Sequence, residues 1–135
     1  MVEIVDSGAT RKLLEVALRV QKAIDRKGLR RGAKVVQREA KRQAPVSDPD
    51  DLPEGRSPGD LRKSVKIRAG KRAGWHNFQT IEVYSSLKYA GPVHWGWPDH
   101  NIEPNRFLWD SLSDVSQEVF MLFQDIVREE TSKLN

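Results

Sequence analysis

Four side chains able to bind a divalent cation, His94, Asp99, His100 and Glu103, fall within ten residues of one another. Imidazole and carboxylate are zinc ligands, so a metal-dependent hydrolase is the most demanding chemistry this sequence could hold. The spacing is not that of a helical His-x3-His pair, and the remaining histidine, His76, lies in a separate loop. The ordinary alternative is a set of polar residues in a Pro-rich surface loop. The chain contains no cysteine, which excludes a disulfide framework, a thiolate zinc site and a cysteine nucleophile. No Gly-x-Ser-x-Gly elbow and no glycine-rich phosphate loop occurs. Acids are plentiful, but nothing singles out a catalytic pair. No residue is therefore assigned to catalysis and no cofactor or metal is expected.

A second chemistry is contact with nucleic acid. Seven basic residues lie between Lys27 and Arg42 with one acid, Glu39, and six lie between Leu61 and Arg72 with none. Lys34, Arg38, Lys41, Arg62, Lys66 and Arg68 could touch phosphates, and Trp75, Trp95, Trp97 and Trp109 could stack on bases. No DNA- or RNA-binding motif accompanies them. Packing in a core or an interface suits the tryptophans better, since three of them bracket the entry to a long apolar helix.

These residues need elements to hold them. Leu13, Ala17, Val20 and Ile24, widened by Leu14 and Leu18, predict an amphipathic helix over 10–26, with Gly28 as its stop. Leu29, Ala33, Val36 and Ala40 predict a second, basic helix over 29–43, ended by Pro45. Residues 45–60 hold four prolines, two glycines and five acids, a pattern that predicts a mobile loop. Asp60–Ser64 suggests one helical turn. Val65, Ile67 and Ala69 alternate with Lys66 and Arg68, and Ile81 and Val83 with Glu82 and Tyr84. Together they predict an antiparallel hairpin with a long basic tip. Residues 88–98 fit no regular element. Leu108, Leu112, Val115, Val119, Leu122 and Ile126 predict a long helix from Asn105 to about Arg128. The expected fold class is α+β: two N-terminal helices, a small antiparallel sheet and a long C-terminal helix packed on it.

Length and charge bound the rest. The chain has 135 residues, 38% of them apolar and 31% charged, which suits one domain over 1–135. Net charge is +4. It is distributed in blocks, basic in the first half and acidic from Asp110 onward, where six acids face Arg128 and Lys133. Such blocks suit nucleic-acid contact, head-to-tail contact between copies, or pairing within one molecule. No apolar run approaches the ~18 residues of a membrane span. The N-terminus, with Glu3 and Asp6, shows no basic–apolar leader pattern, so assembly in the cytoplasm is expected.

Four segments in order carry a resemblance: RGAKVVQREAKRQAP at 31–45, GDLRKSV at 59–65, YAGPVHWG at 89–96 and NRFLWDSL at 105–112. The chain resembles the neck or tail-completion proteins of long-tailed bacteriophages, the small head–tail joining family. Three departures stand out: Pro104 sits one place early before Asn105-Arg106-Phe107-Leu108, His94 replaces a common glutamate, and the loop before Gly59 is longer and more acidic. The resemblance implies a structural virion protein, not an enzyme, forming a ring in the neck between head connector and tail. It implies a hexamer of this chain, contacts to adjacent neck and tail proteins, and DNA only as passing cargo. Membrane and small-molecule substrate play no part. The interface candidates are Arg38, Arg62, Tyr89, His94, Trp95, Trp97, Arg106 and Phe107. The alternative from a different class remains a small basic nucleic-acid-binding protein.

Overall fold

The computed structural model describes residues 8–46, 50, 55, 57–75 and 78–133. Its elements are α1 (Ala9–Ala23), a π-helical turn (Ile24–Gly28), α2 (Leu29–Gln43), α3 (Asp60–Lys63), β1 (Val65–Ala69), β2 (Ile81–Ser85), α4 (Ala90–Trp95), a 3₁₀ turn (Pro98–His100) and α5 (Phe107–Ser132). The α+β class expected from the sequence is observed: N-terminal helices, a two-stranded antiparallel sheet and a long C-terminal helix. Half of the loop expected over 45–60 lies outside the described residues.

Gly28 is not a stop. It keeps right-handed helical angles (φ −65°, ψ −50°), and the Leu29 amide donates to the Ile24 carbonyl, so α1 runs into α2 through the π turn. The physical reason lies across the interface. A Cβ on Gly28 would come within 3.2 Å of Phe123 and Ile126 of α5, and one on Gly32 within 3.1 Å of Val119. Both glycines are there for close approach of two helices, not for chain reversal. α2 and α5 run antiparallel, since Gln43 meets Asp114, Arg38 meets Glu118, and Gly28 meets Phe123 and Ile126.

The hairpin pairs Val65 with Ser85, Ile67 with Val83 and Ala69 with Ile81. An Ala73–Phe78 bridge continues the pairing toward the tip. A Gln37 side-chain amide donates to the Val65 carbonyl at 2.9 Å and ties the sheet to α2. The core gathers where these elements meet, around Ala40, Ala44, Leu61, Val65, Ala90 and Phe107. Phe107, the first residue of α5, has no exposed surface. Aligned small residues on α2 let α3, β1, α4 and α5 close on one another there.

Two expectations fail in the packing. Residues 88–98 are not irregular: Ala90–Trp95 form a short helix and Pro98–His100 a 3₁₀ turn. Pro92 lies in the first turn of α4, where its missing N–H would have had no intrahelical partner. Gly96 ends α4 at φ +82°, with Pro104 and the Ile102 carbonyl where a Cβ would go. On α1, the covered residue is Ala23 with Val16, Val20 and Ile24 half-covered, whereas Leu13, Leu14 and Leu18 face outward. Periodicity identified an amphipathic helix, but its leucine face has no partner among the described residues.

Candidate functional site

α4 and the start of α5 meet through backbone hydrogen bonds: Asn105 N–H to Val93 O at 2.9 Å, and a Trp97–Ile102 bridge that folds the intervening loop back on itself. Asn101 takes a left-handed conformation (φ 55°) at the tip of that loop. This brings four rings together. His94 is buried between Phe107 below and two exposed tryptophans, Trp95 and Trp109, which meet edge to face at 5.2 Å. His94 lies 4.5 Å from Trp95, 5.8 Å from Phe107 and 6.4 Å from Trp109, all edge-on. Such arrangements match the ring quadrupoles and add about 0.5–1.5 kcal/mol per pair. The Arg106 guanidinium stands 5.9 Å from the Trp95 ring. Trp97 meets His100 instead, at 3.7 Å with the two rings tilted by 57°.

His94 acts as a scaffold within this shelf. Its Nε2 accepts the Trp109 backbone N–H at 3.4 Å, which places the ring proton on Nδ1. Burial holds its pKa below the ordinary 6.5, the nearby Arg106 charge adds to that, and Asp110 opposes both. The metal set does not assemble: among the described residues no three His, Asp or Glu side chains are placed to hold an ion.

The other sequence-derived candidates scatter. Tyr89 precedes α4 and packs against the core. Arg62 is exposed on α3, a different element from the α4 and α5 that carry the shelf. Arg38 donates to both carboxylate oxygens of Glu118 at 3.1 and 3.2 Å, on the flank where α2 faces α5. Trp95, Arg106 and Trp109 thus share one surface with His94 and Phe107 beneath them, while Arg38 and Arg62 stand apart. Trp109 and Leu112 are the members the interface candidates omitted. Leu112 falls on the helical stripe of α5, where it reads as core, and Trp109, at the entry to that helix, suits core and interface packing alike.

An apolar groove of about 560 Å³ opens beside the shelf, between α2, β2, α4 and α5. Ala33 and Val36 line one wall, Ile81 and Val83 another, and Trp109 and Leu112 the third. A second cleft, of about 480 Å³, lies between the π turn and the hairpin. Lys22, Arg26, Arg30, Arg68 and Arg72 line it, with Asp25 the acid among them. Arg68 already pairs with Glu82 at 2.7 Å and lies over Tyr84.

The described residues thus present exposed aromatics beside an open apolar groove on a helical α+β fold. The family described as "Bacteriophage HK97-gp10, putative tail-component" matches residues 9–95, well over half of the chain. The chain belongs to this family of bacteriophage tail components and is a structural protein of the virion, where its partners are other tail proteins. No curated protein and no solved structure matches the chain. No helix among the described residues is long and apolar enough to cross a membrane.

Proposed function

We propose that the protein is a ring-forming component of the head–tail junction, where copies of the chain complete the tail and join it to the head connector. The whole chain acts as one joining domain, and a hexamer is the expected ring. The observation that carries this reading is the exposed Trp95–Trp109 shelf beside an open apolar groove, in a chain that belongs to a tail-component family. Aromatic and arginine side chains supply most hot spots at protein interfaces, and a tail component has protein neighbours to spend them on. Trp95, Trp109 and Arg106 are the contact residues. His94 and Phe107 position them, and Trp97 and Tyr89 flank them.

The test is a phage carrying a stop codon early in this gene. Electron microscopy should find filled heads and separate tails in place of joined particles. Joined, infectious particles lacking the protein would end this reading. A second reading is favoured by the basic cleft, whose five cations could hold a phosphate backbone. It predicts oligonucleotide affinity that falls steeply with salt, with a log–log slope near one unit per phosphate contact. Binding that is absent at low salt would remove it.

A further inference from the structure

α1 presents Leu13, Leu14 and Leu18 at 70, 60 and 65% exposure, an apolar face built into a helix rather than scattered over a surface. They cannot serve their own groove. α1, the π turn and α2 form one continuous helical run, and Ala33 in the groove wall lies about 28 Å along it from Leu14 at ~1.5 Å per residue. The leucines and the groove therefore sit at two separated places on one stiff element. We infer that the leucine face of α1 docks into the α2–β2–α5 groove of a second copy, so that each copy gives a helix and receives one.

Three observations name the occupant. The first is shape. Leu14 and Leu18 are one turn apart, the anchor spacing of a helix lying in a groove, and Gly91 and Ala33 let a helix come close. The second is area. Trp95, Trp109 and Leu112 on the receiving side are 56–61% exposed. With ~150–250 Å² for each large side chain and the three leucines opposite, roughly 700 Å² of apolar surface would be covered. At the ~57% apolar share of ordinary interfaces this corresponds to about 1,200 Å² in total, the lower edge of a specific interface. The third is charge. α1 carries Arg11, Lys12, Arg19 and Lys22 against Glu15, while the α5 wall of the groove from Phe107 to Val127 carries Asp110, Asp114, Glu118 and Asp125 with no basic residue, Glu118 being already paired with Arg38 of the basic α2 wall. Opposite fields on the two partners favour this encounter over like-with-like pairing.

The contact is heterologous, one face against a different face, so it closes into a ring or propagates. This deepens the junction-ring reading and rests on it for its setting in the virion. Its test needs no virion. The full chain is compared with L14E/L18E and with W109E/L112E, all exposed positions, by sedimentation velocity up to about 1 mM. Circular dichroism checks that each variant is folded. Wild type should grow beyond 15.4 kDa with concentration. Each variant alone should stay monomeric, its association weakened at least about tenfold, as loss of hot-spot contacts does. Mixed in equal amounts, the two variants should give a dimer and nothing larger, because each retains the half the other has lost.

A wild type that stays monomeric, variants that associate as wild type does, or a mixture with no dimer would overturn the docking. Should a glutamate variant unfold, L18C and W109C serve instead in a chain without native cysteine. Together they should form a disulfide faster than either forms one with itself, and equal rates would refute the pairing. Failure here leaves the junction reading standing, since that one falls only if particles join without the protein.

Discussion

His94 accepts a backbone hydrogen bond through Nε2 and is surrounded by aromatic rings, so the structure favours its neutral form. The unfolded chain takes up that proton more readily than the folded one. The stabilisation is therefore complete above the ordinary value of 6.5 and is lost as pH falls below it toward the folded value. Glu39 supplies a second, more acidic step. The Arg42 guanidinium and then the Gln43 amide hold its pKa at about 2, against an ordinary 4.5. Its contribution is present above pH 4.5 and fades below it. Urea unfolding across pH should show both declines, with His94→Phe flattening the first and Glu39→Gln the second. A His94→Phe profile identical to wild type would remove the buried neutral imidazole as the cause. At the same scale, Arg38 Nη2 reaches both carboxylate oxygens of Glu118, and both side chains are more than half exposed. A double-mutant cycle should find about 0.2–1 kcal/mol of coupling, shrinking with salt. This pair locks α2 to α5 weakly, which is why neither residue belongs with the shelf.

Gly96 and Gly32 each decide how an element ends or packs. At Gly96, φ is +82° and Pro104 stands 3.0 Å from where a Cβ would be. Gly96→Ala should cost about 1–3 kcal/mol and loosen the 97–102 loop, measured by urea unfolding and amide exchange. At Gly32 a leucine would meet Val119 and Phe123. Gly32→Leu should destabilise by about 1–3 kcal/mol despite the better helix former, because overpacking outweighs ~1 kcal/mol of propensity. The elements that follow from side-chain period alone were legible: the hairpin from Val65-x-Ile67 against Ile81-x-Val83, and α5 from its three-and-four spacing. α4 was hidden because Tyr89–Trp95 is rich in Gly and Pro, which signal turns unless the proline falls in a first helical turn. Gly28 misled because a glycine that ends a helix and a glycine that admits a neighbouring helix look the same in sequence. The site was half legible. Trp95, Arg106 and the buried His94 and Phe107 share segments that stood out, but Leu112 and the α1 leucines lie on regular stripes that read as core. A stripe shows that a face is apolar, not what covers it.

For the whole molecule the consequence is a division of labour between its ends. The packed core is at the C-terminal half of α2, whereas the open apolar surfaces lie along α1 and the outer side of α5. Trp75, at the hairpin tip, is fully exposed and lies outside both docking faces. Self-association should therefore shift Trp95 and Trp109 emission to the blue and leave Trp75 unchanged. Comparing Trp75→Phe with wild type across concentration measures this, and an unshifted spectrum on assembly would place the contact elsewhere. The π turn has a further effect, on rotational phase. Leu14 and Gly32 are eighteen residues apart, as are Leu18 and Val36, and eighteen residues make five full turns of an α-helix. In an uninterrupted helix the two leucines would point where Gly32 and Val36 point, toward α5. The π turn inserts one residue and twists everything before it by about 100°. Removing the exposed Lys27 should regularise the turn and leave seventeen residues of α-helix between Leu14 and Gly32, the same offset of about 100°, so the variant should keep both leucines outward and associate as wild type does in sedimentation. A single residue of helical phase then separates a molecule that satisfies itself from one that must find its neighbour.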